Sequence, residues 1–148
     1  MKTLYNKFVK GTGKLRDLSL LLFRLILAYG FHEPAVMKLK NPAGVAQWFD
    51  SMNYPLPAVS AYLSMITEVS GMILLVAGLG SRIVALPMMF IMVVATFTVH
   101  LSNGFAAGDN GFEIPLYYFL MLFSLVAFGS GRYSVDHLIA KRSGASSY

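Results

Sequence analysis

Two things are scarce in this sequence: cysteine and charge. Cysteine is absent from all 148 residues, which excludes disulfides, thiol nucleophiles, iron–sulfur clusters and thiolate zinc sites. Charged residues make up 13% of the chain, against roughly a quarter in soluble domains. The hydrophobic share is 56%, so the balance is that of a membrane protein of one domain. The net charge of +5 comes without a basic stripe or nucleic-acid motif, and nucleic acid is not predicted as a partner.

Four apolar stretches predict an all-helical integral membrane protein, an antiparallel bundle of four transmembrane helices in a single domain. The spans are predicted at about 18–39, 57–79, 83–101 and 114–128. A span needs roughly 17–25 mostly apolar residues, so the second and third fit well, whereas the first and fourth borrow flanking residues. A removed signal peptide is the alternative for the first stretch, but no small-x-small cleavage site follows it.

With these four spans, most lysine and arginine residues lie on one side of the membrane. The predicted tails, 1–17 and 132–148, and the turn between spans two and three hold nine of these residues: Lys2, Lys7, Lys10, Lys14, Arg16, Arg82, Arg132, Lys141 and Arg142. The opposite side holds Lys38 and Lys40. Because basic residues are retained on the cytoplasmic side, both termini are predicted on the cytoplasmic side of the membrane.

A carboxylate lies in the middle of the second stretch. Glu68 follows Pro57 by about 11 residues, which places it roughly 16 Å into the span, near the midplane. A charge there costs on the order of 3 kcal/mol, so a partner is expected. Arg24 in the first span has a long side chain that can bridge the difference in depth. We therefore expect a buried Arg24–Glu68 ion pair, which either clamps two helices or makes Glu68 a proton or ligand site.

A second polar group is predicted at the outer end of the third and fourth spans. His100 ends the third span, one turn after Thr96, and Glu113 opens the fourth, with Tyr117 one turn further on. The glycine- and asparagine-rich loop between them should make the two helix ends neighbours. These residues are candidate ligand or proton sites. The plainer alternatives are that His100 holds the loop and that Glu113 caps its helix. No metal site is predicted.

Taken in order, these residues resemble the DoxX family of small four-span bacterial membrane proteins. The resemblance covers nearly the whole chain, and its closing Gly-x-Gly-x-x-Ser-x-Asp motif is found in "GSGRYSVD". The residues that carry it are Arg24, Lys38, Glu68, Gly71, Gly129, Gly131, Ser134 and Asp136, with "LLVAGLGSR" and "ATFTVHLSNGF" between them. The chain departs from many relatives before Lys38, where Pro34 and Ala35 replace a His-Gly, so a ligand that depends on that His-Gly is not implied.

The resemblance implies a role in a redox system, since some members of the family resemble the small membrane subunit of a thiosulfate:quinone oxidoreductase. We therefore expect a membrane subunit that handles a quinone or quinol. A quinone needs an apolar slot, hydrogen-bond donors and a protonatable group, for which the candidates are Glu68, Phe97, His100, Tyr117 and Tyr118. The alternatives are a non-catalytic anchor or assembly partner for a soluble enzyme, and a small-solute or proton transporter. Expected partners are the lipid bilayer, a soluble or membrane redox protein, and a second copy of the chain.

A pair of reporters tests the predicted orientation. With both termini in the cytoplasm, a cytoplasm-active reporter fused after Tyr148 should be active and a periplasm-only phosphatase should be silent. The same reporters fused after Gly108, in the loop expected outside, should give the reverse pattern. A phosphatase signal after Tyr148 would overturn the orientation and the outer placement of His100.

Overall fold

The structure is a computed structural model that describes residues 2–144, with the side chains of residues 2–11 and of Lys14 outside the described part. All secondary structure within it is helical. The α-helices are α1 (Lys2–Lys40), α2 (Pro42–Ser51), α3 (Pro57–Ala77), α4 (Ser81–Ala95), α5 (Glu113–Phe128) and α6 (Val135–Arg142). α4 continues through a π-helical segment (Thr96–His100) and a 3-10 turn (Leu101–Asn103).

Three helices of the described part are long and apolar enough to cross a membrane. They are Leu15–Lys40 within α1, Pro57–Ala77, and the continuous segment Ser81–Asn103. α5 is apolar as well but shorter, at 16 residues. Large apolar side chains cover the outer surfaces of these helices, as they do where lipid rather than water surrounds a protein. The chain is therefore a membrane protein.

The four apolar helices enclose one core. α1 packs against α3 and α5, and α4 packs against the same two helices. The buried side chains between them are Leu20, Leu27, Ala28, Phe31, Leu75, Ala85, Met88, Leu122 and Leu125. Nearly all of this core comes from aliphatic side chains, which hold the helices together by close packing because lipid supplies little hydrophobic driving force.

The linker between α1 and α3 contains the helix α2. Asn41 begins it, because its side-chain oxygen accepts a hydrogen bond from the Gly44 amide at 2.9 Å, and Pro42 occupies the first helical position. Both are standard signals of a helix start. α2 packs on α3, where Val45, Phe49 and Ala61 form a second buried cluster.

The ends of α3 follow its sequence. Pro57 is its first residue, where a missing amide hydrogen costs nothing. Gly78 ends it with a φ of 67°, in the left-handed conformation, and its amide donates back to Leu74 and Leu75. Glycine adopts this conformation without the steric cost of a Cβ atom.

α3 and α4 approach each other closely at Gly71. A Cβ atom on Gly71 would lie 2.4 Å from the sulfur of Met88, and Met88 is fully buried. Small residues allow such close approach between membrane helices. Gly71 thus holds together the halves of α3 and α4 that lie next to the turn joining them. We call this end of the helices the inner end, and the opposite end, next to α2, the outer end.

Gly71→Ala should therefore destabilise the protein, by about 1–3 kcal/mol for overpacking. The added methyl group has to displace the buried side chain of Met88, so Gly71→Ala combined with Met88→Ala should recover part of the loss. Thermal unfolding in detergent measures both effects. The control is Gly13→Ala in α1, where the Cβ would meet nothing within 4 Å and where alanine is the better helix former. Equal unfolding temperatures for Gly71→Ala and wild type would contradict the close contact.

Candidate ligand-binding site

Glu68 is paired with Lys38. The Lys38 ammonium nitrogen lies 2.6 Å from Oε2 and 2.8 Å from Oε1 of Glu68, and donates to both. The two residues are buried, with 8% and 2% of their surfaces exposed. Lys38 is near the outer end of α1 and Glu68 is in the middle of α3, so the pair joins two helices that pack together.

The predicted Arg24–Glu68 ion pair is wrong. Arg24 is fully buried, but its guanidinium donates to the backbone oxygen of Leu75 at 3.3 Å and to that of Tyr133. Leu75 follows Glu68 by seven residues on α3, which is roughly 10 Å further inward. The prediction counted Lys38 as an outer-surface charge. Its long stem instead reaches inward and brings the ammonium group to Glu68.

Arg24 lies against the closing motif and the turn between α3 and α4. A Cβ atom on Gly78 would lie 1.9 Å from the Arg24 Nη1 atom and 2.6 Å from the Ser134 Cβ atom. Only glycine therefore leaves room at this position. Asp136 is near enough to Arg24 to act on its charge.

Asp136 fastens the C-terminal segment to the start of α4. Its carboxylate accepts from the Gly80 amide at 2.8 and 3.0 Å, and from the Ser130 hydroxyl at 2.5 Å. Its own amide donates to the Gly78 oxygen at 3.1 Å. Ser134 caps α6 by accepting from the His137 amide at 3.2 Å. The motif residues thus close the inner end of the helices around Arg24.

The outer half of the protein contains a cavity of about 960 Å³. Its walls come from α1, α2, α3, α4 with its π-helical segment, and α5, and they are mainly apolar. The Lys38–Glu68 pair lies on this wall, together with the side chains of Ser64, Thr67 and Tyr118. A largely apolar cavity of this size with a few convergent polar groups is typical of small-molecule sites.

Of the two predicted tyrosines, Tyr118 lines this cavity and Tyr117, a described residue, does not. Its hydroxyl lies against Gly30 of α1, where a Cβ atom would be only 1.8 Å away. Its ring also contacts Phe31, with centroids 5.7 Å apart. The Tyr117 hydroxyl donates to Glu113 at 3.1 Å.

The structure separates the remaining outer candidates. His100 borders the cavity, and its Nδ1 atom lies 2.8 Å from the Asn110 oxygen. A carbonyl only accepts, so Nδ1 carries the proton. Glu113 accepts from the Ala107 amide at 2.9 Å, and Thr96 donates to Met92 within its own helix. Both His100 and Glu113 therefore hold the loop between α4 and α5, and neither Glu113 nor Thr96, both described residues, lines the cavity. The Phe97 side chain is exposed on the surface of the protein and does not line the cavity.

Comparison with known proteins places the chain in a family. Residues 19–101 match the DoxX family. An uncharacterised protein of Haemophilus influenzae is 31% identical over 137 residues, which cover 90% of this chain and 89% of that protein. The chain belongs to the DoxX family. No solved structure matches it.

In this DoxX protein the matched segment contains the three buried ionisable residues described above. Arg24, Lys38 and Glu68 lie within residues 19–101, as does His100. The closing motif that surrounds Arg24 lies beyond the matched segment. The cavity is likewise completed from outside it, by Tyr118 of α5.

A double-mutant cycle tests the observed pairing. Lys38→Met and Glu68→Gln should each destabilise the protein by about 3–5 kcal/mol if the abandoned charge stays buried. The double variant should lose less than the sum, because the two residues interact directly. Arg24→Met with Glu68→Gln is the matched control and should be additive. Denaturation in detergent measures all of these variants. Additive losses for Lys38 and Glu68 would contradict their pairing.

Proposed function

We propose that this DoxX protein binds a quinone or quinol in its outer cavity, as the membrane subunit of a redox system. The observation that carries the proposal is the position of the Lys38–Glu68 pair. The pair lines an apolar space of about 960 Å³. Glu68 is 2% exposed and Lys38 is 8% exposed, so a ligand in this space would reach the pair mainly through Lys38.

The chemistry of the pair suits a quinone head group. An ammonium group has three donors, and two of those on Lys38 are directed at Glu68. The third donor is suited to a quinone carbonyl oxygen. Reduction of a quinone to a quinol takes two electrons and two protons, and a redox partner would supply the electrons. Lys38 and Glu68 would hold or transfer a proton at the carbonyl oxygen.

Other polar groups of the cavity fit the same ligand. The Tyr118 hydroxyl is a donor for a second oxygen of the head group, and Ser64 and Thr67 extend the polar face of α3 next to Glu68. The remaining walls are apolar, as the ring and the start of an isoprenoid tail require.

The proposal includes the membrane arrangement. α1, α3, α4 and α5 would be four antiparallel spans of the bacterial inner membrane, with both termini in the cytoplasm. α5 is roughly 24 Å long, somewhat less than the roughly 30 Å of a hydrocarbon core. Arg16 lies at its inner end, with the guanidinium 5.1 Å from the centre of the Phe128 ring. Cations in this position mark the cytoplasmic interface.

A second candidate function is an anchor for a soluble enzyme. One observation favours it, which is the surface of α6 at the inner end. Leu138 and Ile139 are exposed there, next to the exposed Lys141 and Arg142. Exposed apolar and basic side chains together suit either the membrane surface or a docked protein.

Trp48 provides a direct assay for quinone binding. It is the only tryptophan of the sequence and lines the cavity, so a bound quinone should quench its fluorescence. With a short-tailed ubiquinone added to the protein in lipid nanodiscs, we expect saturable quenching. Lys38→Met and Glu68→Gln should weaken the affinity about tenfold or more, the value of a charge-assisted hydrogen bond.

Two further variants complete this experiment. Lys40→Met is the control, because Lys40 is exposed and does not line the cavity. This variant should bind the quinone with the affinity of the wild type. Tyr118→Phe keeps the ring and removes the hydroxyl, and should weaken binding without disturbing the ion pair. Quenching that rises without saturation, and equally in wild type and Lys38→Met, would contradict the proposal.

A further inference from the structure

We infer that the cavity opens sideways into the bilayer through a window between α3 and α4, and that its ligand carries a long apolar tail which leaves through this window. The inference rests on the proposed quinone site and adds the class of quinone and its route of entry. The window is defined by its lower edge at Gly71 and Met88, its upper edge at Tyr54 and Thr98, and its sides at Leu63 and Phe90.

The lower edge is the close contact between α3 and α4. Gly71 and Met88 leave no room even for a methyl group between the two helices. Further inward, the chain turns directly from α3 into α4 between Gly78 and Ser81. The helices are thus closed on each other over their inner part, and a gap between them can exist only further out.

The upper edge is a hydrogen bond between side chains. The Tyr54 hydroxyl, just before α3, lies 2.5 Å from the Thr98 hydroxyl in the π-helical segment. The Thr98 hydroxyl itself donates to the Val94 oxygen at 2.7 Å, so Tyr54 is the donor between them. About ten residues separate Met88 from Thr98, so the two edges are roughly 15 Å apart along α4.

Between these edges the cavity reaches the exposed side of α3 and α4. Leu63 of α3 and Phe90 of α4 both line the cavity, yet they are 61% and 68% exposed. A side chain with both properties lies where a cavity meets its surroundings. The neighbouring outward side chain of Ile66 is apolar and exposed as well. The window therefore faces lipid rather than water.

The end of the cavity next to α2 is lined by aromatic side chains and by loop residues. Phe49 of α2 is buried and stacks on Tyr54, with ring centroids 4.5 Å apart. Asn53 and Asn110 line this end and are exposed, so the cavity opens here as well. The window is therefore a second opening, and it is the one that a ligand dissolved in the membrane meets.

The distances fit a head group at the ion pair and a tail in the window. Leu63 precedes Glu68 by five residues on α3, or roughly 8 Å along the helix. That is the length of a quinone ring with the beginning of its tail. A tailed quinone can therefore contact Lys38 and Glu68 with its head while its tail passes between Leu63 and Phe90 into the bilayer.

Photocrosslinking locates the tail. A ubiquinone with a diazirine on its tail, incorporated with the protein into nanodiscs, should form adducts at Leu63 and Phe90, identified by mass spectrometry of the peptides. Adducts at the outer rim, around Asn53 and Pro55, would show entry from the aqueous side and overturn the inference. Adducts spread evenly over Ile66, Leu86 and other lipid-facing residues would overturn it too.

A blocking variant gives an independent measurement. Leu63→Trp should fill the window and lower the yield of adduct at Phe90 roughly tenfold. The matched control, Ile66→Trp on the same lipid-facing side of α3, should leave the yield unchanged. Unchanged yields in both variants would overturn the inference.

The tail-less head group, 2,3-dimethoxy-5-methyl-1,4-benzoquinone, separates this inference from the proposal on which it rests. If this compound and the tailed quinone both quench Trp48 of the wild type but the tail crosslinks elsewhere, the window is wrong and the quinone site stands. If neither compound quenches Trp48, the quinone site is wrong and the window proposal falls with it.

Discussion

A carboxylate in the middle of a membrane helix needs a cation beside it, and the ion pair of Glu68 with Lys38 meets this requirement. Leaving either charge alone would cost several kcal/mol, because no bulk water reaches the interior of a bilayer. The pair therefore fixes how far α1 lies along α3. The positions of α2, which follows Lys38 after a short connection, and of the cavity wall between these helices depend on that register.

The two ends of the protein handle buried charge in different ways. At the inner end, Arg24 is enclosed by backbone oxygens and by the closing motif, so its donors are directed at the protein itself. At the outer end, Lys38 and Glu68 are joined to each other but border an open space. Arg24 therefore has a structural role and holds the inner ends of the helices together. The outer pair is placed where a ligand can compete for its hydrogen bonds, and the proposed quinone site lies there.

Much of the fold follows from the sequence, because apolar length and charge content decide membrane helices almost alone. The position of Glu68 in the middle of α3 and the start of α3 at Pro57 follow in the same way. The partner of Glu68 was not predictable from depth, since a lysine stem can extend either outward or inward. Similarly, sequence spacing brought His100 and Glu113 together, but the loop between them needed partners for its own backbone groups, and both side chains serve it.

Gly78 shows where this protein can change and where it cannot. Its Cα hydrogen faces the Arg24 guanidinium, so any other residue would push apart the helix turn, the cation and the closing segment at once. In the lining of the outer cavity, Gly30 and Gly111 are as closely approached by their neighbours, but most of the other lining residues are apolar side chains from five helices. Apart from these two glycines, the cavity can therefore change its shape residue by residue while the inner end stays the same.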